Sequence, residues 1–118
     1  DAFFWGEPFT KENLEQIRIK EDGGKRLLIS YMSIGEAEDY RFYWQDEWDK
    51  KELNWIDSEN PNWPGNFKVR YWNDDWKKII LGESNSYTQI ILNAGFDGVY
   101  LDIIDGFWYF ENIASGSK

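Results

Sequence analysis

No cysteine and no histidine occur in the 118 residues. Without cysteine there are no disulfides, no thiolate metal ligands and no thiol nucleophile. Without histidine the usual general base and the commonest metal ligand are missing too. Hydrolytic chemistry on this chain is therefore confined to carboxylates, with Tyr or Lys in support, and neither a cofactor nor a metal is expected. Basic residues are also scarce, 13 Lys and Arg against 22 Asp and Glu, for a net charge of -9. That balance repels a phosphate backbone, so nucleic acid is disfavoured, whereas a polycationic ligand is attracted. No apolar run approaches the ~20 residues of a membrane span, and no membrane partner is expected. The N-terminus lacks the basic and apolar regions of a signal peptide, as a processed chain also would.

Rings are what the chain has in excess. Eight Trp, seven Tyr and eight Phe make up 19% of it, clustered at Phe3-Phe4-Trp5, Tyr40 to Trp48, Tyr71-Trp72 and Phe107 to Phe110. This is more than a small core needs, and it suggests a surface that stacks on sugars, bases or a partner protein, although core packing is the expectation for most single rings. The length suffices for one domain with one core.

Thr10 with Asn13 three residues on, and Glu12 between them, starts a helix that carries Leu14 and Ile17 and ends before Gly23-Gly24. Leu27 to Ile34 is apolar nearly throughout, as a parallel strand covered on both faces reads. It ends in an acidic rim, Gly35-Glu36-Ala37-Glu38-Asp39-Tyr40-Arg41. From Phe42 to Gly65 the Trp, Asn, Asp and Pro content predicts a long loop. Phe67 to Trp72 alternates as a strand, and Asn73 or Asp74 can cap the helix that follows. An apolar stripe from Trp76 to Ala94 keeps a helical phase across Gly82 to Ser86, which predicts a kink or a break.

Gly95 to Gly106 holds the chemistry. Gly95 closes the helix, Val99 to Leu101 is a buried strand, and Asp102 falls where a parallel strand emerges into a loop. That rim is where α/β folds collect ligands and catalytic groups. Capping of the following helix is the structural alternative, more so for Asp105 than for Asp102. Asp105 to Ile113 starts one more helix, and residues 114–118 form a polar tail. The order of elements indicates an α/β protein with mostly parallel strands.

Three stretches carry a family resemblance: Tyr31 to Arg41, Arg70-Tyr71-Trp72 with Asp75-Trp76, and Gly95 to Asp105. Together, and in the same order, they resemble the TIM-barrel glycoside hydrolases of family 114, the endo-α-1,4-polygalactosaminidases, over about residues 1–113. The resemblance implies a TIM-barrel-type (β/α) architecture, here incomplete at about three to four βα units, since a whole barrel takes about 250 residues. It implies carboxylate chemistry on a polysaccharide or aminosugar oligosaccharide, in an extracellular setting. Asp102 matches the catalytic Asp at a strand end, and Asp105 a second acidic position beside it. Glu38, Asp39 and Arg41 match the charged rim that lines the sugar site. The family's other catalytic carboxylate is a Glu on a later strand, beyond Lys118. A fragment of a longer enzyme, or a short form whose open strand edges are covered by a second copy, both accommodate this.

Glycoside hydrolysis needs two carboxyl groups across the scissile bond, about 5–5.5 Å apart for retention and about 6.5–9.5 Å for inversion. Asp102 is the ionised member, and Glu36 or Glu38 is the in-chain substitute for the acid, with hydrogen bonding to a ligand as the simpler role for both. Tyr31, Trp72, Tyr100 and Trp108 stand at or near strand ends and are candidates to stack on sugar rings. Arg41 either orients a carboxylate or forms a solvated ion pair at the rim. A non-catalytic glycan-binding module and an inactive piece of a larger barrel are the competing functions.

Overall fold

The computed structural model describes residues 1–48 and 50–116. The chain divides into two compact units, Asp1–Met32 with Lys78–Leu101, and Ser33–Lys77 with Asp102–Lys118.

The first unit opens with strands β1 (Phe3–Phe4) and β2 (Glu7–Pro8), an antiparallel pair. The tight turn between them needs left-handed backbone, with φ of 52° at Trp5 and 83° at Gly6. Helix α1 (Lys11–Arg18) starts with a capping box in which the Thr10 hydroxyl accepts from the Asn13 N–H and the Asn13 side chain accepts from the Thr10 N–H, both at 3.1 Å. Leu14 is buried, but Ile17 is 44% exposed, so the apolar face is narrower than the sequence suggests.

Strand β3 (Ile29–Ser33) pairs with β7 (Gly98–Asp102). Asp97 N–H donates to Leu28 O at 2.8 Å and Ile34 N–H to Asp102 O at 3.1 Å, so the two strands run in the same direction. The expectation of strands covered on both faces is corrected here. β3 begins two residues later than the apolar run and alternates, with Ser30 and Met32 buried while Leu27 and Ile29 are exposed. Val99, Tyr100 and Leu101 on β7 are also exposed, and among the described residues β7 has β3 as its one partner strand. The predicted interruption of the long helical stripe is a break. Helix α2 (Asp74–Ile80) ends before Gly82, whose φ is 98°, and α3 (Tyr87–Ala94) restarts with the Ser86 hydroxyl capping the Gln89 N–H. Gly95 closes α3 at φ 97° and donates to Leu92 O. Tyr87, Ile91 and Ala94 fill this unit's core with Leu14, Met32 and Ala2.

The second unit holds an antiparallel sheet in the order β4-β6-β5, formed by β4 (Glu36–Glu38), β5 (Ile56–Glu59) and β6 (Asn66–Val69). Here the expectation of mostly parallel strands fails, and β5 lies inside the stretch predicted as loop. The polar Ile56-Asp57-Ser58-Glu59 carries no strand pattern of its own. It becomes a strand because the turn from Asn60 to Gly65 folds it onto β6, with Asn60 N–H to Asn66 O at 2.7 Å and Arg70 N–H to Trp55 O at 2.8 Å. β6 ends at Val69, so Arg70, Tyr71 and Trp72 lie beyond the strand. The core is aromatic: Trp55 stacks on Trp76 at 5.3 Å, and Tyr43 meets Trp76 edge-on at 5.7 Å. The Trp76 indole N–H donates to Ile34 O at 3.0 Å, which satisfies its buried polar end. Helix α4 (Phe107–Ala114) includes Ala114, so the polar tail starts later than predicted, and its last residues 117–118 lie outside the described part. Two strand-to-helix units are formed among the described residues, β3 with α2 and α3, and β7 with α4, where three to four were expected; the residues between Glu36 and Val69 build the antiparallel sheet instead.

In the first unit the Arg18 guanidinium pairs with the Asp97 carboxylate and donates to Gly95 O at 2.9 Å. The Leu28 N–H at 2.8 Å, and next the Arg18 contact, hold the Asp97 carboxyl below its ordinary 3.8. A depressed carboxyl stabilises the fold above its ordinary value and stops doing so as pH falls through the folded one. Asp97→Asn is therefore expected to lower the urea midpoint at neutral pH, and its difference from the parent chain to close as the pH drops below 3.8. A constant gap across that window would remove this linkage.

Candidate functional site

Asp102 is the last residue of β7, half-buried, with its carbonyl tied to the Ile34 N–H. The next residue, Ile103, has a φ of 57°. A β-branched side chain rarely tolerates that region, and such strain persists only where the surroundings over-determine it. Gly35 supplies the constraint. It is buried, and a Cβ there would collide with the Ile103 carbonyl oxygen and lie 2.6 Å from its Cγ2. Gly106 closes the same turn by donating to Ile103 O at 3.2 Å. The ends of the two parallel strands are thus locked backbone to backbone, with Glu36 adjoining one side of the contact and Asp102 the other.

Asp105 sits exposed in this turn. Its carbonyl accepts from Trp108 N–H at 3.0 Å, but the N-cap of α4 is Gly106, which makes no side-chain cap bond. The Asp105 carboxylate does not serve as the helix cap.

The two glutamates of the acidic rim lie on β4 and are each 1% exposed. A buried carboxylate is tolerated only with partners. Glu36 takes Asn60 Nδ2 at 2.9 Å and Lys68 Nζ at 3.2 Å, both on Oε2. Lys68 is its directly opposed residue on β6, so the ion pair is also a cross-strand pair. Glu38 accepts from Arg41 Nε at 2.8 Å. The Arg41 guanidinium lies 5.0 Å from the centre of the Tyr40 ring. Burial of the hydroxyl, and then its bond to Glu38, push the Tyr40 phenol up to about 12. Asp39 is exposed, its N–H donates to Gly65 O at 2.9 Å, and its carboxylate leans on Gly65. A Cβ at Gly65 would sit 2.7 Å from Asp39 Oδ1, and its φ of 87° suits glycine alone.

Trp72 belongs to the same unit, 49% exposed, with its ring edge-on to Phe110 at 4.8 Å and Tyr71 at 5.0 Å. Trp108 is 63% exposed on α4. Tyr31 and Tyr100 lie in the other unit. Tyr31 is half-buried on β3 with Tyr87 Oη donating to its carbonyl at 3.5 Å, and Tyr100 is exposed on β7.

Several participants are not among the site residues read from the sequence. Tyr109 on α4 donates to Asp57 Oδ2 at 2.5 Å and shares a hydrogen bond with Ser58 Oγ at 2.6 Å. Arg70 takes the other Asp57 oxygen at 2.5 Å and also donates to Asn54 O and Ile56 O. Lys68 Nζ lies 5.7 Å from the centre of the Tyr109 ring. Burial raises the Asp57 carboxyl, but the bonds from Tyr109 and the Ser58 N–H, with the Arg70 charge, outweigh it and leave it below the ordinary range. This alternating network fastens α4, which follows directly on the Asp102 strand, to β5 and β6. Asp57 and Asn60 on β5 and its turn, Lys68 on β6 and Tyr109 on α4 come from three separate stretches of the chain, which only the tertiary fold brings together.

The family described as Glycoside-hydrolase family GH114 matches residues 9–118. Among curated proteins, the chain is 48% identical over 101 residues to an uncharacterized protein of Methanocaldococcus jannaschii, covering 86% of this chain and 27% of that one. It is 44% identical over 95 residues to an uncharacterized protein of Thermotoga maritima, covering 80% and 28% respectively. An uncharacterized protein of Deinococcus radiodurans is 44% identical over 97 residues, 82% of this chain and 30% of the relative. The chain thus spans under a third of the length of these relatives. Its fold resembles the crystal structure of Aspergillus fumigatus Ega3 in complex with galactosamine, with a TM-score of 0.59 at 23% identity, over 83% of this chain and 34% of that one.

Gly35→Ala is expected to destabilise the protein by about 1–3 kcal/mol in urea titration, because the Cβ must displace backbone rather than a flexible side chain. Parent-like stability would show that the strand ends are not locked. Tyr109→Phe removes both hydroxyl bonds and is expected to cost about 1–2 kcal/mol in the same assay; no loss would show that α4 does not depend on Asp57.

Proposed function

The chain belongs to glycoside-hydrolase family GH114, and from that membership we propose that it forms part of the cleaving face of an extracellular hydrolase of aminosugar polymers with α-1,4-linked galactosamine. Asp102 carries the proposal. It stands at the C-terminal end of a parallel strand, the position from which α/β enzymes project catalytic groups, and a strained, glycine-pinned turn fixes the backbone behind it. The solved protein of like fold is in complex with galactosamine, and an ammonium-bearing polymer complements the net charge of -9.

In this reading Asp102 supplies the ionised carboxylate at the anomeric carbon, either as nucleophile or as base toward a water. A second carboxyl protonates the leaving oxygen from the opposite side. Glu36 and Glu38 suit that acid poorly, because each is already tied to a cation, Lys68 or Arg41. Their arrangement suits hydrogen bonding and positioning. The acid then comes from the family's later strand, as the resemblance implies. In the second unit Asp105, Asp39 and Trp72 line the sugar path.

The commitment of both buried glutamates to internal cations also favours a second reading, a glycan-binding module without turnover. The protein carrying this sequence is expected to release reducing ends from de-N-acetylated α-1,4-polygalactosamine, and Asp102→Asn to cut that release by about a thousandfold or more while cooperative melting is retained. Binding of the polymer without any release by the parent protein would select the binding module. Neither binding nor release would overturn both readings.

A further inference from the structure

Two of the most exposed rings in the second unit stand on loops fastened by buried charge. Tyr40 is 64% exposed and Trp63 67% exposed. An exposed side chain ordinarily keeps its rotamer freedom, since water serves its polar end as well as the protein does. Tyr40 is instead held by the Arg41 guanidinium, which lies 5.0 Å from the centre of its ring and is itself paired with the buried Glu38 at 2.8 Å. Trp63 sits in a turn whose backbone is closed by Trp63 N–H to Asn60 O at 3.2 Å and Asn66 N–H to Trp63 O at 3.1 Å. The Asn60 amide then reaches Glu36 Oε2 at 2.9 Å. The two loops meet where Asp39 N–H donates to Gly65 O, with the exposed Asp39 carboxylate against Gly65. Burying two carboxylates is costly unless their partners are fixed, and here the fixed partners include the residues that hold two exposed rings.

We propose that Tyr40 and Trp63 form an aromatic rim that stacks on pyranose rings of an aminosugar chain, with Asp39 facing the ammonium groups and with Glu38 and Glu36 as the positioning residues. The inference rests on the sugar-polymer reading above and deepens it, because it moves the rim glutamates from ligand contacts to supports and assigns the contact to rings outside the reacting centre. Holding the rings before the ligand arrives lowers the ordering cost of binding. The flat hydrocarbon face of a pyranose suits an exposed ring, and the -9 net charge suits an amine-bearing chain better than a neutral one.

Isothermal calorimetry with α-1,4-linked galactosamine oligomers tests it on four variants. Tyr40→Ala and Trp63→Ala are each expected to weaken binding about 3–10-fold with unchanged melting. Tyr40→Phe keeps the ring under the Arg41 guanidinium and is expected to bind like the parent. Trp5→Ala, at a site 90% exposed on the β1–β2 turn, leaves affinity unchanged. Parent-like affinity in both alanine variants of the rim overturns this inference and leaves the hydrolase reading intact, and so does an equal loss in Trp5→Ala. A parent protein that binds no oligomer overturns the sugar-polymer reading itself, and the rim falls with it.

Discussion

Two carboxylates buried on one three-residue strand impose more on this fold than any other feature. Glu36 and Glu38 are buried on β4, and each needs a cation at a fixed distance, Lys68 for the first and Arg41 for the second. That requirement sets the register of β4 against β6, since Lys68 must stand opposite Glu36. It fixes the turn that follows β4, since Arg41 must reach back to Glu38. It also draws in Asn60, and with it the turn that makes β5 a strand. Slipping β4 by one residue would turn both carboxylates to the opposite face and strand the Lys68 charge. Hydrophobic burial supplies much of the folding energy here, through Trp55, Trp76 and Val69, but it is the charge pairing that specifies one arrangement.

The catalytic candidate depends on a different constraint. Asp102 is reached by a strand whose following residue is strained, and the strain is held by a glycine on the neighbouring strand. The antiparallel sheet and α4 then meet through Tyr109 and Asp57. Strand end, rim and helix in the second unit are therefore joined by polar contacts that each have a named partner, with few adjustable side chains among them.

Local signals were read where local chemistry decides. Thr10 with Asn13, the Gly82 to Ser86 interruption and Gly95 act through neighbours in sequence, and α1 starts, the long stripe breaks and α3 stops where they indicate, whereas α1 ends at Arg18, short of the Gly23-Gly24 expected to end it. Asp102 at a strand end followed from the apolar run before it. The readings that failed depend on partners far along the chain. Val99 to Leu101 looks buried because apolar residues usually are, yet in the described structure one side of β7 has no strand. Ile56 to Glu59 looks like loop because its strand pairing comes from a hairpin and not from its own composition. Glu36 and Glu38 looked like rim groups facing a ligand, because sequence shows their charge and not the cations that enclose them. Lys68 and Tyr109 were invisible for the same reason.

The rings of the second unit form a continuous path: Phe42 to Tyr43 at 5.4 Å, Tyr43 to Trp76 at 5.7 Å, Trp76 to Trp55 at 5.3 Å, Trp55 to Trp48 at 4.9 Å, Trp48 to Trp44 at 5.4 Å and Trp44 to Phe67 at 5.1 Å. Indoles this close exchange electronic excitation faster than they emit. Light absorbed by one is emitted by whichever sits lowest in energy, so the emission of Trp44, Trp48, Trp55 and Trp76 is a shared property of the four, beside the separate emission of the exposed Trp63, Trp72 and Trp108. A change in the emission of these four does not identify which of them moved.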